Sequence, residues 1–121
     1  MAPADIMKIL VVEDNFDAQT ILCELLEMLD YQAQGVASAE EALDKLPLFD
    51  ILLTDLNLPG MSGVELAQKS NAMDPTKPII ISSGMDISTQ LQFEVQVLPK
   101  PFSVTVLSEI LEKAKNLVRT A

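Results

Sequence analysis

The sequence predicts an α/β protein with a doubly wound, five-stranded parallel sheet, and three observations support that fold class. Short apolar runs alternate five times with segments whose apolar residues recur at helical spacing. Strands that alternate with helices form parallel sheets with right-handed crossovers, and the helices cover both faces. The chain has 121 residues, of which 49% are hydrophobic, so a single domain with a normal core is expected.

The first strand, helix and second strand are predicted from apolar patterning. Residues 8–12 are short, β-branched and nearly all apolar, which is typical of a strand buried on both faces. Residues 16–28 form the first predicted helix because apolar residues recur there at helical spacing. Residues 31–37 alternate more weakly, so this strand is expected near an edge of the sheet. The apolar positions of the first helix are Ala18, Ile21, Leu22, Leu25 and Leu26.

Capping and proline signals define the next elements. Ser38 begins the second helix, since Glu41 completes a capping-box pattern, and Pro47 ends that helix. Residues 51–54 form the third strand. The turn-rich residues 57–63 then form a loop that leads into the third helix.

The second half of the chain continues the alternation with one ambiguous segment. The third helix covers residues 64–73, and the fourth strand covers residues 79–82. Residues 85–94 are compatible with one short helix or with a loop. The fifth strand covers residues 95–98, and a last amphipathic helix covers residues 103–119.

Composition excludes several kinds of site. Histidine is absent, which excludes a Ser-His-Asp triad, a histidine general base, a histidine-ligated metal and a histidine phosphodonor. Cys23 is the only cysteine, so neither an intramolecular disulfide nor a CxxC site can form. The net charge of −10 makes nucleic acid and anionic membranes poor partners, whereas a basic protein surface or a metal cation suits it.

The N-terminal residues and the hydropathy of the chain indicate in which cellular compartment the protein is expected. No stretch of about 18 apolar residues occurs, so no membrane span is expected. Residues 1–5 lack the basic and apolar regions of a secretory signal, and we expect them to be a flexible N-terminus before one domain at residues 6–121. With a single cysteine, the chain fits a reducing compartment, and we expect a cytoplasmic protein.

Charged and polar residues follow the predicted strands at the edge where a parallel sheet binds ligands. Glu13 and Asp14 follow the first strand, and Asp55 follows the third. If these strands are neighbours, their ends lie about 5 Å apart and the three carboxylates converge. Carboxylates this close repel each other, and Mg²⁺ with oxygen ligands would remove that conflict. Ser83 and Lys100 follow the fourth and fifth strands and reach the same edge.

Three segments at these positions resemble the receiver domains of two-component response regulators. They are residues 9–15 (ILVVEDN), 53–63 (LTDLNLPGMSG) and 100–102 (KPF). Their order and spacing make the resemblance specific, and it extends over nearly the whole chain. The resemblance implies the flavodoxin-like fold with strand order 2-1-3-4-5. The short segment before the fifth strand implies a short or degenerate fourth helix, which looks more like receivers of hybrid histidine kinases than DNA-binding regulators.

The resemblance also implies which residues bind the phosphoryl group. Asp55 matches the phosphoacceptor of the family, and Lys100 matches the lysine that pairs with the phosphate. Ser83 matches the serine or threonine whose hydroxyl binds a phosphoryl oxygen. Pro101 matches the proline that follows the lysine, often with a cis peptide bond between them.

The magnesium ligands are implied in the same way. Asp14 and Asp55 match direct ligands of Mg²⁺ in the family. Asn57 would supply its backbone carbonyl oxygen, and Glu13 would act through a water molecule.

Two positions depart from the pattern of many receivers. Val97 stands three residues before the lysine, where many receivers carry an aromatic residue that moves on phosphorylation. Met85 stands two residues after Ser83, at a position that affects the hydrolytic water in the family. Because methionine cannot orient water, we expect slow loss of phosphate from Asp55.

The function that the resemblance implies is a signalling switch that catalyses only its own phosphorylation and dephosphorylation. The phosphodonor would be the phosphohistidine of a histidine kinase or of a histidine phosphotransfer domain. One alternative is a phosphorylation-independent interaction domain with the same fold. The other is an aspartyl-phosphate phosphohydrolase, suggested by the pair Asp55 and Asn57, although in the haloacid dehalogenase type the nucleophile follows the first strand.

Overall fold

Five parallel strands form the centre of the fold in the computed structural model, which describes residues 6–87 and 90–120. The strands are β1 (Lys8–Val12), β2 (Gln32–Val36), β3 (Ile51–Asp55), β4 (Ile79–Ser83) and β5 (Gln96–Pro99). They lie in the order β2-β1-β3-β4-β5, so the predicted flavodoxin-like order is confirmed and β2 is an edge strand. Residues 1–5, for which a flexible N-terminus was expected, lie outside the described residues.

The strands β3, β4 and β5, which carry much of the candidate site, end one residue later than the apolar pattern predicts. β3 and β4 each continue one residue beyond the predicted end, and β5 begins and ends one residue later. Asp55 therefore pairs in register with Ser82, and Ser83 pairs with Pro99. The polar residues at these ends belong to the sheet itself, so its hydrogen bonds hold their backbone in place.

The described residues form four α-helices: α1 (Phe16–Met28), α2 (Ala39–Lys45), α3 (Gly63–Met73) and α4 (Val104–Thr120). The first three connect strands, and α4 follows β5. Side-chain oxygens cap their N-termini where the sequence offers them. The Ala18 N–H donates to Asn15 Oδ1 at 2.9 Å, and the Glu41 N–H donates to Ser38 Oγ at 3.1 Å, which confirms the predicted start of α2. None of the helices in the described ranges is long and apolar enough to cross a bilayer.

The helices cover both faces of the sheet, as the doubly wound fold requires. α1 and α4 pack on the face formed by alternate strand residues such as Ile51, Leu53 and Leu98. α2 and α3 pack on the opposite face, against residues such as Leu10 and Ile81. Because both faces are covered, the three central strands β1, β3 and β4 are almost completely buried.

The connection from β4 to β5 contains no α-helix in the residues described there, 84–87 and 90–95. The short or degenerate fourth helix was predicted in this segment, and residues 88 and 89 of it lie outside the described residues. Ile87, Leu91 and Val95 from this connection are buried and join the core that includes α2 and α3. Apolar side chains of a loop thus cover the part of the sheet that a helix would otherwise cover.

The apolar stripe of α1 is only partly buried, although the bounds of the helix agree with the prediction. Leu22 and Leu26 are buried, whereas Ile21 is 57% exposed and Ala18 is also exposed. Ala18 and Ile21 line an open cleft at the carboxyl end of the sheet. Helical spacing therefore predicted the helix correctly, but part of its apolar surface faces a cleft and not the core.

Candidate functional site

Asp55 and Lys100 form an ion pair at the carboxyl ends of the strands. Asp55 is the last residue of β3 and is only 8% exposed. Lys100 directly follows β5, and its Nζ lies 2.7 Å from Asp55 Oδ1. The Lys100 N–H donates to the Ser83 carbonyl at 3.0 Å, which anchors the backbone from which the lysine reaches across β4. The structure thus brings together the carboxylate and the ammonium group that the sequence singled out.

Glu13 and Asp14 lie beside Asp55 because β1 and β3 are neighbours in the sheet. Val12, the last residue of β1, pairs with Thr54, the residue before Asp55. One carboxylate oxygen from each of the three acids lies within 4.8 Å of the others. Three carboxylate oxygens at this separation fit a hard divalent cation, and the exposure of Asp14 leaves room for water ligands.

The electrostatics of this acidic cluster are unfavourable without a cation. Burial raises the pKa of Glu13 above its usual value, and the neighbouring Asp55 carboxylate raises it further. The Asn15 N–H, which donates to Glu13 Oε2 at 3.0 Å, and the charge of Lys100 act in the opposite direction. Three carboxylates and one ammonium group leave an excess of negative charge, which a cation would neutralise.

Two serines end β4, and they occupy different positions relative to Asp55. The Oγ of Ser83 accepts a hydrogen bond from the Met85 N–H at 3.1 Å, and Ser83 is 3% exposed. Because side chains alternate along a strand, Ser82 shares the sheet face of Asp55, and Ser82 lines the cleft above it. The phosphoryl-binding role of Ser83 therefore stays a prediction, and Ser82 is a second hydroxyl here that the sequence analysis did not select.

An open cleft of about 590 Å³ lies over the ion pair. Its floor is polar and includes Glu13, Asp55, Ser82 and Lys100. Its walls are apolar and come from α1 and from the residues after β5. These wall residues are Ala18, Ile21, Leu22, Pro101 and Phe102. The cleft leaves Asp55 accessible from solvent between two apolar walls.

The loop between β3 and α3 carries Asn57, which is exposed. The Gly63 N–H donates to the Leu56 carbonyl at 2.9 Å, which closes this loop close to Asp55. The Met61 N–H donates to Glu40 Oε2 at 2.9 Å, and this hydrogen bond lowers the pKa of Glu40. The loop is therefore held at both ends, while the role of the Asn57 carbonyl as a metal ligand stays a prediction.

The remaining predicted positions surround the ion pair. The peptide bond between Lys100 and Pro101 is cis, the form that the resemblance implied for this pair. Val97 lies half-buried in β5. Met85 is 64% exposed, so its side chain is open to solvent next to Ser83.

Two residues shape this site although no role was predicted for them from the sequence. A Cβ on Gly63 would lie 2.1 Å from the Asp55 carbonyl oxygen, so only glycine allows α3 to begin there. Gln19 Nε2 donates to the Glu13 carbonyl at 2.9 Å and to the Val36 carbonyl at 3.0 Å. Gly63 ends one of the segments that carry the receiver resemblance, but that pattern does not show its contact with Asp55. Gln19 belongs to none of these segments, and only contacts between elements reveal its position.

This chain is similar to a known protein family and to several known proteins. A family model described as a response regulator receiver domain matches residues 9–112. The response regulator receiver protein CpdR of Brucella abortus is 33% identical over 114 residues, which cover 88% of this chain and 94% of that protein. The chemotaxis protein CheY of Pseudomonas aeruginosa is 32% identical over 119 residues, with the same coverage of 88% and 94%.

A solved structure agrees with the fold and was determined with a metal. It is the receiver domain of the sensor histidine kinase PA1611 of Pseudomonas aeruginosa, with a magnesium ion coordinated in its active site cleft. It is similar to this chain with a TM-score of 0.81 and 28% sequence identity, over 92% of this chain and 98% of that one.

Proposed function

Because the chain belongs to the family of response regulator receiver domains, we propose that Asp55 accepts a phosphoryl group from a phosphohistidine of a partner protein. The observation that carries this proposal is the 2.7 Å contact between Lys100 Nζ and Asp55 Oδ1 beside the acids Glu13 and Asp14. A carboxylate nucleophile, an ammonium group and candidate metal ligands thus share one open cleft.

Asp55 supplies the nucleophile for the transfer. One of its carboxylate oxygens forms a bond to phosphorus while the bond from phosphorus to the imidazole nitrogen breaks, and the product is a mixed anhydride. The electron pair of the broken bond returns to the imidazole nitrogen. Lys100, which pairs with Asp55 before the transfer, then pairs with the phosphoryl oxygens. These 121 residues contain no histidine that could carry the phosphoryl group. The phosphohistidine would be that of a histidine kinase or a histidine phosphotransfer domain.

Mg²⁺ is the metal that the acidic cluster would hold. Asp14, Asp55 and the Asn57 carbonyl would be direct ligands, and Glu13 would bind through water. The clustering of the three carboxylate oxygens within 4.8 Å supports this, as does the magnesium ion in the similar sensor kinase receiver. When bound, Mg²⁺ neutralises the negative charge of the phosphoryl oxygens.

The phosphoryl group would act as a switch by changing which conformation of the strand-end loops is favoured. Ser83 Oγ accepts a hydrogen bond from the Met85 N–H, and the Ser83 hydroxyl would donate its own proton to a phosphoryl oxygen. A movement of Ser83 toward the phosphoryl group would shift the start of the connection between β4 and β5, so the surface offered to a partner changes. Val97 replaces the aromatic residue of many receivers, and the switch would therefore operate without an aromatic side chain there.

Incubation with Mg²⁺ and acetyl phosphate tests the proposal. We expect intact-mass analysis to show the gain of one phosphoryl group in the wild type and no gain in Asp55→Ala. Asp17→Ala is the matched control, since Asp17 is an exposed acid at the start of α1, and it should be phosphorylated as the wild type is.

The alternatives give different results in the same assay. A phosphorylation-independent interaction domain would gain no phosphoryl group under any of these conditions. A phosphohydrolase would release phosphate from phosphate esters over many turnovers. Either result, or phosphorylation that persists in Asp55→Ala, would overturn the assignment of Asp55 as a signalling phosphoacceptor.

A further inference from the structure

We propose that Gln19 is a positioning residue for the metal-binding acids, an inference that rests on the proposed function. Gln19 lies in the first turns of α1 and is half-buried. Its Nε2 donates one hydrogen bond to the Glu13 carbonyl at 2.9 Å and another to the Val36 carbonyl at 3.0 Å. An amide nitrogen has two protons, so both are used to join the end of β1 to the end of β2.

The two carbonyls belong to a junction next to the acidic cluster. The Glu13 N–H also donates to the Val36 carbonyl, at 3.1 Å. The Val36 carbonyl therefore accepts hydrogen bonds from both the Glu13 backbone and the Gln19 side chain. Val36 is the last residue of β2, an edge strand that has only β1 as a neighbour. Without Gln19, the Glu13 carbonyl would lose the donor that ties it to this edge.

Asp14 depends on the same junction because it lies between two anchored residues. On one side, Gln19 and Val36 hold the backbone of Glu13. On the other side, Asn15 caps α1, and its own N–H donates to Glu13 Oε2 at 3.0 Å. A metal ligand keeps its geometry only when the groups around it are held, and loss of an outer partner weakens metal binding.

Gly35 supplies an independent way to disturb Gln19. A Cβ built on Gly35 would lie 2.2 Å from Gln19 Oε1 and 2.4 Å from Gln19 Cδ, so the glutamine amide fills the space beside this glycine. A methyl group at position 35 would therefore push the amide away from its two acceptors. The three atoms nearest that Cβ position all belong to Gln19, so the effect of the methyl group on the metal would pass through Gln19.

Mg²⁺ binding measured by isothermal titration calorimetry tests the inference. Gln19→Met keeps the length of the side chain and removes both donors, and Gln19→Ala also removes the bulk. We expect both to bind Mg²⁺ roughly tenfold more weakly than the wild type, the lower end of the cost of losing an outer-sphere partner. Gln32→Ala, a change of an exposed glutamine in β2, is the control and should leave the affinity unchanged.

A double-mutant cycle separates positioning from general loss of structure. Gly35→Ala alone should weaken Mg²⁺ binding about as much as Gln19→Ala does. The double variant should bind no more weakly than Gln19→Ala, because the amide that the new methyl group displaces is already gone. Full additivity in Mg²⁺ affinity would overturn the inference, since the two residues would then act separately.

Three other results would overturn the inference about Gln19, and one of them would also overturn the proposed function. If the wild type binds Mg²⁺ and is phosphorylated on Asp55 but both Gln19 variants bind Mg²⁺ equally well, the inference is wrong and the proposed function stands. If both Gln19 variants unfold by circular dichroism, Gln19 is a structural residue and the inference is wrong. If the wild type itself neither binds Mg²⁺ nor takes up a phosphoryl group, the proposed function is wrong and the inference fails with it.

Discussion

Individual contacts around Asp55 determine what the site can tolerate. The ion pair with Lys100 and the nearby acids could be expected from residues that follow the strands, because such residues meet at one edge of a parallel sheet. The contacts of Gly63 could not be expected in this way. The position of Gly63 against the Asp55 carbonyl depends on how α3 packs, and this packing cannot be predicted from the neighbouring residues in the sequence.

Gly63→Ala should destabilise the protein and slow phosphorylation of Asp55. A Cβ 2.1 Å from the Asp55 carbonyl oxygen forces the backbone of Asp55 or the start of α3 to move. We expect a loss of about 1–3 kcal/mol in the free energy of unfolding, measured by urea denaturation, together with slower uptake of phosphate from acetyl phosphate. Gly84→Ala is the matched control, since nothing lies within 4 Å of its Cβ position. Equal effects of the two substitutions would contradict this explanation.

Met85→Glu should shorten the lifetime of phosphorylated Asp55. A carboxylate at this position can orient a water molecule toward the phosphoryl group, whereas the apolar methionine side chain cannot. Met85 is 64% exposed, so the change should not disturb packing. We expect decay at least several-fold faster than in the wild type, followed by intact-mass analysis after removal of the donor. Met28→Glu, at an exposed methionine of α1, should decay as the wild type does. Identical decay of all three proteins would refute the role of position 85.

At the scale of elements, the connection between β4 and β5 combines irregular backbone with buried apolar side chains in its described residues. The residues described there form no α-helix, yet Ile87, Leu91 and Val95 are buried in the core. From the sequence, residues 85–94 are compatible with one short helix or with a loop. Burial here arises from contacts with the sheet and with α3, which local patterning does not record.

Ile87→Ala tests whether this loop contributes to the core as a helix would. Ile87 is 2% exposed, so its truncation leaves a cavity and removes apolar contacts. We expect a loss of about 2–4 kcal/mol in the free energy of unfolding by urea denaturation. Met85→Ala in the same connection should cost less than about 0.5 kcal/mol, because the Met85 side chain is exposed. A cost for Ile87→Ala as small as that for Met85→Ala would show that the connection does not stabilise the fold.

At the scale of the whole molecule, the chain has a large negative charge and also brings three mutually repelling carboxylates together. The net charge is −10, and three of the carboxylates meet at one end of the sheet. Burial and Asp55 raise the pKa of Glu13, so its charged form is disfavoured in the folded protein. A cation that binds only the folded state would remove this cost and stabilise the protein by linkage.

Mg²⁺ should therefore raise the melting temperature of the wild type. At a concentration about 100 times its Kd, Mg²⁺ adds about 2.7 kcal/mol to the free energy of unfolding, and a chelator should reverse the gain. Differential scanning calorimetry at constant ionic strength, set with potassium chloride, separates binding from general screening of the −10 charge. Asp14→Asn should lose most of the Mg²⁺ effect. The same stabilisation in Asp14→Asn and the wild type would argue against this site.

The sequence by itself determined the order of strands and helices and the acids, serines and lysine that follow the strands. Apolar periodicity and capping residues act over a few neighbouring positions, so they can be recognised locally, and the ends of parallel strands necessarily lie at one edge of the sheet. Only the tertiary structure decided that Ile21 of α1 faces a cleft, that Ser82 shares the face of Asp55, and that Gln19 joins β1 to β2. These features depend on contacts between residues far apart in the chain, which form only when the elements pack together.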